Sequence, residues 1–262
     1  MNISLIGKTA LVGGSSSGIG KAIAHELAAN GATVILMARN EEKLRQSCDE
    51  LATSNGQQHR FIVTDFNRYN DHKRKLADLF AQTSIDILVN NTNGPMAGGV
   101  FAKGEADFQQ AFELLFQNAV YTTQLAIPAM QKRGFGRVIN VSSMTVKEPS
   151  ETLVLSNTMR TALVSWSKSL ASEVAPFGIT VNSILTGFFD TDRLNSLMKL
   201  QAEARGVSLK EVREERISMI PIQRLGDPAE YGYLASFLAS ESAAFLTGTV
   251  IPLDGGASVG LF

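Results

Sequence analysis

The 262-residue chain has one cysteine, one tryptophan, three histidines, and almost no net charge. With only Cys48, an internal disulfide is excluded and a reducing compartment is expected. Cys48 lies in a charged helical run and reads as a bystander rather than a nucleophile. His25, His59 and His72 are far apart and have no second cysteine to join them, so no metal site is expected. The net charge is −1, with Lys and Arg scattered along the chain, which argues against nucleic acid and anionic membranes as partners. No stretch approaches the roughly 18 apolar residues of a membrane helix. The first strand is expected within ten residues of Met1, leaving no signal peptide, and the expected location is cytoplasmic. Repeats, low-complexity segments and Pro- or Ser-rich linkers are also missing. One domain over residues 1–262 is the expectation.

What is present is organised around Thr9–Arg39. Thr9–Val12 is a short apolar run that reads as a buried strand. It leads into a turn spaced G-x-x-x-G-x-G, carrying Gly14, Ser16, Ser17, Gly18, Ile19 and Gly20. Lys21–Asn30 has helical apolar spacing, and Thr33–Ala38 reads as a second strand, so the stretch has the size of a βαβ unit. A chain turning from strand to helix and presenting bare backbone to a diphosphate needs glycine, and the helix start offers unpaired N–H groups. Nucleotide binding is therefore expected. At the end of the second strand stand Ala38-Arg39-Asn40, with no carboxylate until Glu41. An Arg at this place pairs with the 2′-phosphate of NADP, where an acidic residue would hold the NAD ribose. NADP is expected over NAD.

Strand and helix then alternate. Helices are expected over Glu41–Ser54, Asp71–Gln82, Glu105 to Lys132 and Leu155–Ala175, with strands over Arg60–Val63, Ile85–Asn90, Arg137–Val141 and Thr180–Leu185. Leu194 to Met219 reads as two helices, Tyr231–Ala239 as another helix, and Thr247–Gly256 as the source of a last strand. This alternation implies an α/β fold, a parallel sheet with helices on both faces.

The glycine turn resembles the short-chain dehydrogenase/reductase family, whose signature is T-G-x-x-x-G-[IL]-G. Gly14, Gly18, Ile19 and Gly20 match, and Gly13 replaces the family's Thr. The resemblance extends from Gly7 to about Ala257 and looks closest to the 3-oxoacyl-[acyl-carrier-protein] reductase branch. It implies a doubly wound Rossmann fold with a seven-stranded parallel sheet. Residues 188–220, around the two helices of Leu194 to Met219, read either as a helical lid over the substrate or, from composition alone, as a solvated helical excursion. The resemblance also implies an adenine contact at Asp65 and Phe66 and a turn at Asn90-Asn91-Thr92-Asn93, where Asn93 could take positive φ. Asn91, Gly187 and Thr191 join the implied cofactor contacts. A homotetramer or homodimer is implied as well.

The family reduces carbonyls with Asn, Ser, Tyr and Lys. Asn118 and Ser143 match the first two. The family's Tyr and Lys fall on Ser156 and Arg160, so Y-x-x-x-K has become Ser156-Asn157-Thr158-Met159-Arg160. Residues four apart share a helix face, so both could still face the cofactor. An aliphatic hydroxyl is a far weaker acid than a phenol, and Arg160 will not deprotonate, though it can bind ribose and favour an oxyanion. Tyr69, Tyr121, Tyr231 and Tyr233 all lie outside this motif. Three readings stay open: an NADP-dependent oxidoreductase whose proton comes from elsewhere, with Lys147 one candidate donor; an NADP-binding member without turnover, acting as a regulatory or structural partner; and a scaffold.

Overall fold

The computed structural model describes residues 3–260. Its strands are β1 (Thr9–Gly13), β2 (Thr33–Ala38), β3 (Arg60–Val63), β4 (Ile87–Asn90), β5 (Gly136–Val141), β6 (Ile179–Thr186) and β7 (Val250–Leu253). They form one parallel sheet in the order β3-β2-β1-β4-β5-β6-β7. The direction of winding reverses between β1 and β4, and at such a point the strand C-termini leave a crevice. The helices are α1 (Gly18–Ala29), α2 (Glu41–Asp49), α3 (Tyr69–Gln82), α4 (Glu105–Phe112), α5 (Asn118–Arg133), α6 (Val154–Val174), α7 (Asp192–Arg205), α8 (Leu209–Ser218) and α9 (Pro228–Ala239).

The period of two in β1 divides the core. Ala10 and Val12 join Ile23 and Leu27 of α1 and Ala235 and Leu238 of α9 on one face. Leu11 joins Leu76 of α3, Met130 of α5 and Val174 of α6 on the other. Both faces are apolar, as a fully covered parallel sheet requires. Each fully buried leucine contributes about 1.5–3 kcal/mol, so this double layer dominates stability. Gly232 lets α9 lie close on α1, since a Cβ there would stand 2.8 Å from the Ala22 carbonyl oxygen.

Several boundaries differ from the sequence expectation. The long helix expected from Glu105 is broken by a π turn at Glu113–Gln117. The Asn118 side-chain amide donates to the Leu114 carbonyl (3.3 Å) and to the Phe66 carbonyl (2.8 Å), which fixes the widened turn. Helix α1 begins at Gly18 rather than Lys21, so Gly18 and Gly20 lie in its first turn. Helix α9 begins at Pro228 because Asp227 and Glu230 form a reciprocal cap ahead of it. Helix α2 stops at Asp49, short of Ser54. The expectation for Asn93 is corrected: Gln223 is the one non-glycine residue with positive φ among the described residues.

Between β6 and α9, helices α7 and α8 form a small layer of their own around Met198, Ala202 and Val212. Thr191 caps α7, accepting from Leu194 N, and Ser208 caps α8 with Glu211 reciprocating. Among the described residues no helix is long and apolar enough to cross a membrane.

Candidate functional site

At the switch point, the β1–α1 turn is held open from behind. Ser15 Oγ donates to Val12 O (2.8 Å) and accepts from Met37 N (2.9 Å), stapling the turn to β2. Asn91 Nδ2 donates to Gly13 O at 3.0 Å. A Cβ on Gly13 would come within 2.4 Å of Asn91 O, so this chain has no room for the family's Thr there. A Cβ on Gly20 would lie 2.2 Å from Gly14 O. Gly14 and Gly18 have positive φ. The turn therefore presents bare backbone beside the N-terminus of α1. Ser17 is the N-cap of α1, yet its hydroxyl makes no bond to the helix and stays available.

In front of this turn lies a cleft of about 370 Å³. Its walls include Gly14, Ser16, Ser17, Gly18, Ile19 and Gly20 from the turn, Arg39 after β2, Asp65 and Phe66 after β3, Asn91 after β4, and Thr191 ahead of α7. The methyl of Thr191 would meet a Cβ on Gly18 at 3.4 Å, so the α7 cap closes over the turn. Eleven of the residues expected to touch a cofactor thus share one cleft. The cleft fits a dinucleotide in kind: glycines that a Cβ would block, a helix start for a diphosphate, and cations at the far end.

Partial burial raises the Asp65 carboxyl, but hydrogen bonds from the Asn67 backbone and side chain, with the charges of Arg39 and Arg68, outweigh it and hold it below its ordinary range. Arg39 and Asp65 are therefore neighbours at the adenosine end. Lys43 lines the same end, and sequence reasoning passed over it. Its position was legible, because it lies four residues after Arg39 in the first turn of α2, where Asn40 accepts from Lys43 N (2.9 Å). Arg193, on the second residue of α7, was also missed, and nothing in its local sequence marked it.

Of the catalytic candidates, Asn118 and Arg160 line a small cavity that shares Phe66, Asn91 and Thr92 with the cleft, whereas Ser143 and Ser156 line neither. Arg160 Nε donates to Ser156 Oγ (3.1 Å) and Nη1 donates to Val141 O (2.8 Å). Nη2 has no hydrogen-bond partner among the described residues. So the i, i+4 pair does share one helix face, turned toward the end of β5. Burial lowers the Arg160 guanidinium to about 10; Tyr231 works against that and Arg193 with it. It remains a cation at neutral pH.

Ser143 follows β5, and its Oγ accepts from Thr145 N (3.2 Å) and Thr145 Oγ1 (3.1 Å), which leaves its own proton free for a ligand. Asn118 is buried, and it shares with Arg160, Asn90 and His72 the wall of a cavity of about 20 Å³, large enough for one water. Among the described residues Asn118 Oδ1 and His72 Nε2 have no hydrogen-bond partner.

Gly187 is not among the residues that line the cleft. Its N donates to Leu253 O (3.0 Å), and a Cβ would meet Asp254 Cα at 2.5 Å, so its glycine serves packing against the end of β7. Lys147 lies in the turn after Ser143. Partial burial raises the Asp254 carboxyl, but bonds from Ser258 and Gly256 and the charge of Lys147 hold it low, which places Lys147 near Asp254. No tyrosine lines the cleft or the small cavity. Tyr231 is fully buried, donating to Ile184 O (3.3 Å) and bonded to Thr186 Oγ1 (3.2 Å). Burial drives its hydroxyl far above the ordinary value.

The family profile for enoyl-(acyl carrier protein) reductase matches residues 14–258. Oxidoreductase UcpA of Salmonella typhimurium is 35% identical over 263 residues, covering 97% of this chain and 96% of that protein. The 3-oxoacyl-[acyl-carrier-protein] reductase FabG of Aquifex aeolicus is 30% identical over 257 residues, covering 98% and 99%. The crystal structure of L-sorbose reductase from Gluconobacter frateurii, complexed with NADPH and L-sorbose, superposes with a TM-score of 0.93 over the whole of both chains at 29% identity. With the switch-point cleft, the glycine turn and the full-length match together, the chain belongs to the short-chain dehydrogenase/reductase family.

Proposed function

We infer that this protein is an NADPH-dependent oxidoreductase that interconverts a carbonyl compound and its alcohol. The cleft carries this reading: a glycine turn that only bare backbone can form, with Arg39 and Lys43 at its far end. Relatives that bind NADPH support it. In this reading Gly14, Ser16, Ser17, Gly18, Ile19 and Gly20 receive the diphosphate. Arg39 and Lys43 take the 2′-phosphate, Asp65 and Phe66 flank the adenine, and Asn91 and Thr191 close on the ribose and nicotinamide side. When bound, NADPH supplies a hydride to the carbonyl carbon.

Arg160 and Ser143 receive the carbonyl oxygen. Arg160 Nη2 and the Ser143 hydroxyl donate to it, stabilising negative charge as it develops. Arg160 keeps its proton, so the oxygen takes its proton from water or from an acidic group of the substrate. Ser156 holds the guanidinium through Nε and acts on orientation. Asn118 shapes the π turn behind it. The resemblance favours a 3-oxoacyl thioester or a similar ketone as substrate, covered by α7 and α8. Self-association through β7 and α9 fits the exposed Tyr233, Phe245 and Val250, and sedimentation equilibrium would test it.

Calorimetric titration with NADPH and NADH tests the cofactor assignment. Micromolar NADPH binding with preference over NADH is expected; binding of neither would remove the reading. A second reading rests on Ser156 and Arg160: a member that binds NADPH without turnover and acts through partners. It predicts the same titration but no hydride transfer.

A further inference from the structure

Of the three cationic residues in the cleft wall, Arg39, Lys43 and Arg193, only Arg193 has no use in the cofactor reading. It stands at the start of α7, and its Nη2 would meet a Cβ on Gly94 at 3.1 Å, so the guanidinium lies across the cleft onto the loop after β4. Among the described residues neither Arg193 nor Arg160 forms an ion pair. The two are close enough for the charge of Arg193 to disfavour protonation of Arg160. Asn91 and Thr92 line both the cleft that holds Arg193 and the cavity that holds Arg160. Asp192 is next to Arg193 in the cleft wall but pairs with neither arginine. Arg193 on the cleft and Arg160 on the adjoining cavity are two unneutralised guanidiniums that repel each other across the shared Asn91–Thr92 wall, and an anion held between them removes that repulsion.

The cofactor's own charges are met elsewhere, by the N-terminus of α1 and by Arg39 with Lys43. Resting on that reading, we propose that Arg193 and Arg160 bind a carboxylate carried by the substrate close to its reacting carbonyl. The substrate class is then an oxo acid, a narrower choice than the 3-oxoacyl thioester or similar ketone that the family resemblance alone favours. On α7, Leu197 and Leu200 follow Arg193 at i+4 and i+7 and are exposed, so the same helix face offers apolar cover to the body of such an acid. An anion held by Arg193 could come from the substrate or from the cofactor diphosphate, and the two sources are separable.

The test is calorimetric titration of the NADP⁺-saturated protein, which cannot turn over, with benzoylformate and with its uncharged ethyl ester. The acid is expected to bind at least tenfold more tightly than the ester. Arg193→Ala should reduce that preference to threefold or less and change the NADP⁺ affinity less than threefold. Arg193→Lys should keep part of the preference, since it retains the charge but loses the two-pronged geometry. Equal binding of acid and ester, or no binding of the acid, would overturn the proposal. So would an Arg193→Ala variant that loses NADP⁺ affinity tenfold while keeping the preference, because the arginine then serves the diphosphate. If NADP⁺ fails to bind at all, the functional reading falls separately, and the same acid–ester comparison on the cofactor-free protein still decides the anion site.

Discussion

Replacing Arg39 separates the two nicotinamide cofactors, because NADPH differs from NADH only by a phosphate of about −1.5 to −2 charge at the ribose 2′ position. A hydrogen bond between a guanidinium and an anion contributes about 1.5–3 kcal/mol. Arg39 is exposed, so solvent screening places it at the low end, about 1.5 kcal/mol or roughly tenfold in Kd. Arg39→Ala should therefore weaken NADPH about tenfold and leave NADH within twofold. Arg39→Asp instead sets a carboxylate, next to that of Asp65, against the 2′-phosphate. At about 5 Å in water the added repulsion is on the order of 1 kcal/mol, so the loss grows to roughly fiftyfold. The assay is fluorescence or calorimetric titration at 20 mM and 500 mM salt, with the NADPH preference shrinking at the higher value, where the Debye length is only a few ångströms (roughly 20 mM and 500 mM bracket the screening range). An equal loss for NADPH and NADH, or no loss, would refute the placement of the 2′-phosphate at Arg39.

Gly20→Ala would put a Cβ 2.2 Å from Gly14 O, so the turn must shift; dinucleotide binding should fall at least tenfold by calorimetry, and wild-type affinity would contradict the close approach. The pair Ser156→Tyr with Arg160→Lys should create or raise ketone reduction, followed by absorbance of NADPH. A double variant that binds NADPH but stays inactive would count against the retained geometry. His72 is fully buried, and burial lowers its imidazole from 6.5 to about 4, outweighing the opposite pull of Asp71. Above pH 6.5 it is neutral in both states and has no effect on the pH dependence. As pH falls from 6.5 to 4, the unfolded chain takes up a proton that the folded chain refuses. Stability should then drop by up to about 1.4 kcal/mol per pH unit from this group. Denaturant unfolding should show a shallower drop in His72→Gln across that window, and identical slopes would refute it.

The strands were legible because a covered parallel sheet needs runs such as Thr33–Ala38, which only a buried strand explains at that length. The π turn was not, because it depends on Asn118 reaching the Phe66 carbonyl 52 residues away, a contact no local pattern encodes. Likewise, Gly13 read as a departure from the family until Asn91 was seen to occupy the space of a side chain. Of the cofactor candidates, those fixed by the turn and the strand ends converged on one cleft, since strand C-termini in such a sheet share one edge. Gly187 did not, because its glycine answers to Asp254 across β7. Arg193 was invisible for a related reason: a surface arginine on a helix acquires meaning only from what lies across the cleft.

The central claim is that this protein moves a hydride although Ser156 and Arg160 stand where the family has Tyr and Lys. NADPH deuterated at the transferring 4-position, incubated with the protein and a panel of ketones, oxo acids and 3-oxoacyl thioesters, reads that step directly by mass spectrometry of the alcohol product. One deuterium at the carbinol carbon, above the level in cofactor and substrate without protein, is the expected result. NADPH bound with micromolar affinity and no deuterium transferred to any member of the panel would contradict it and leave a binding protein in place of an enzyme.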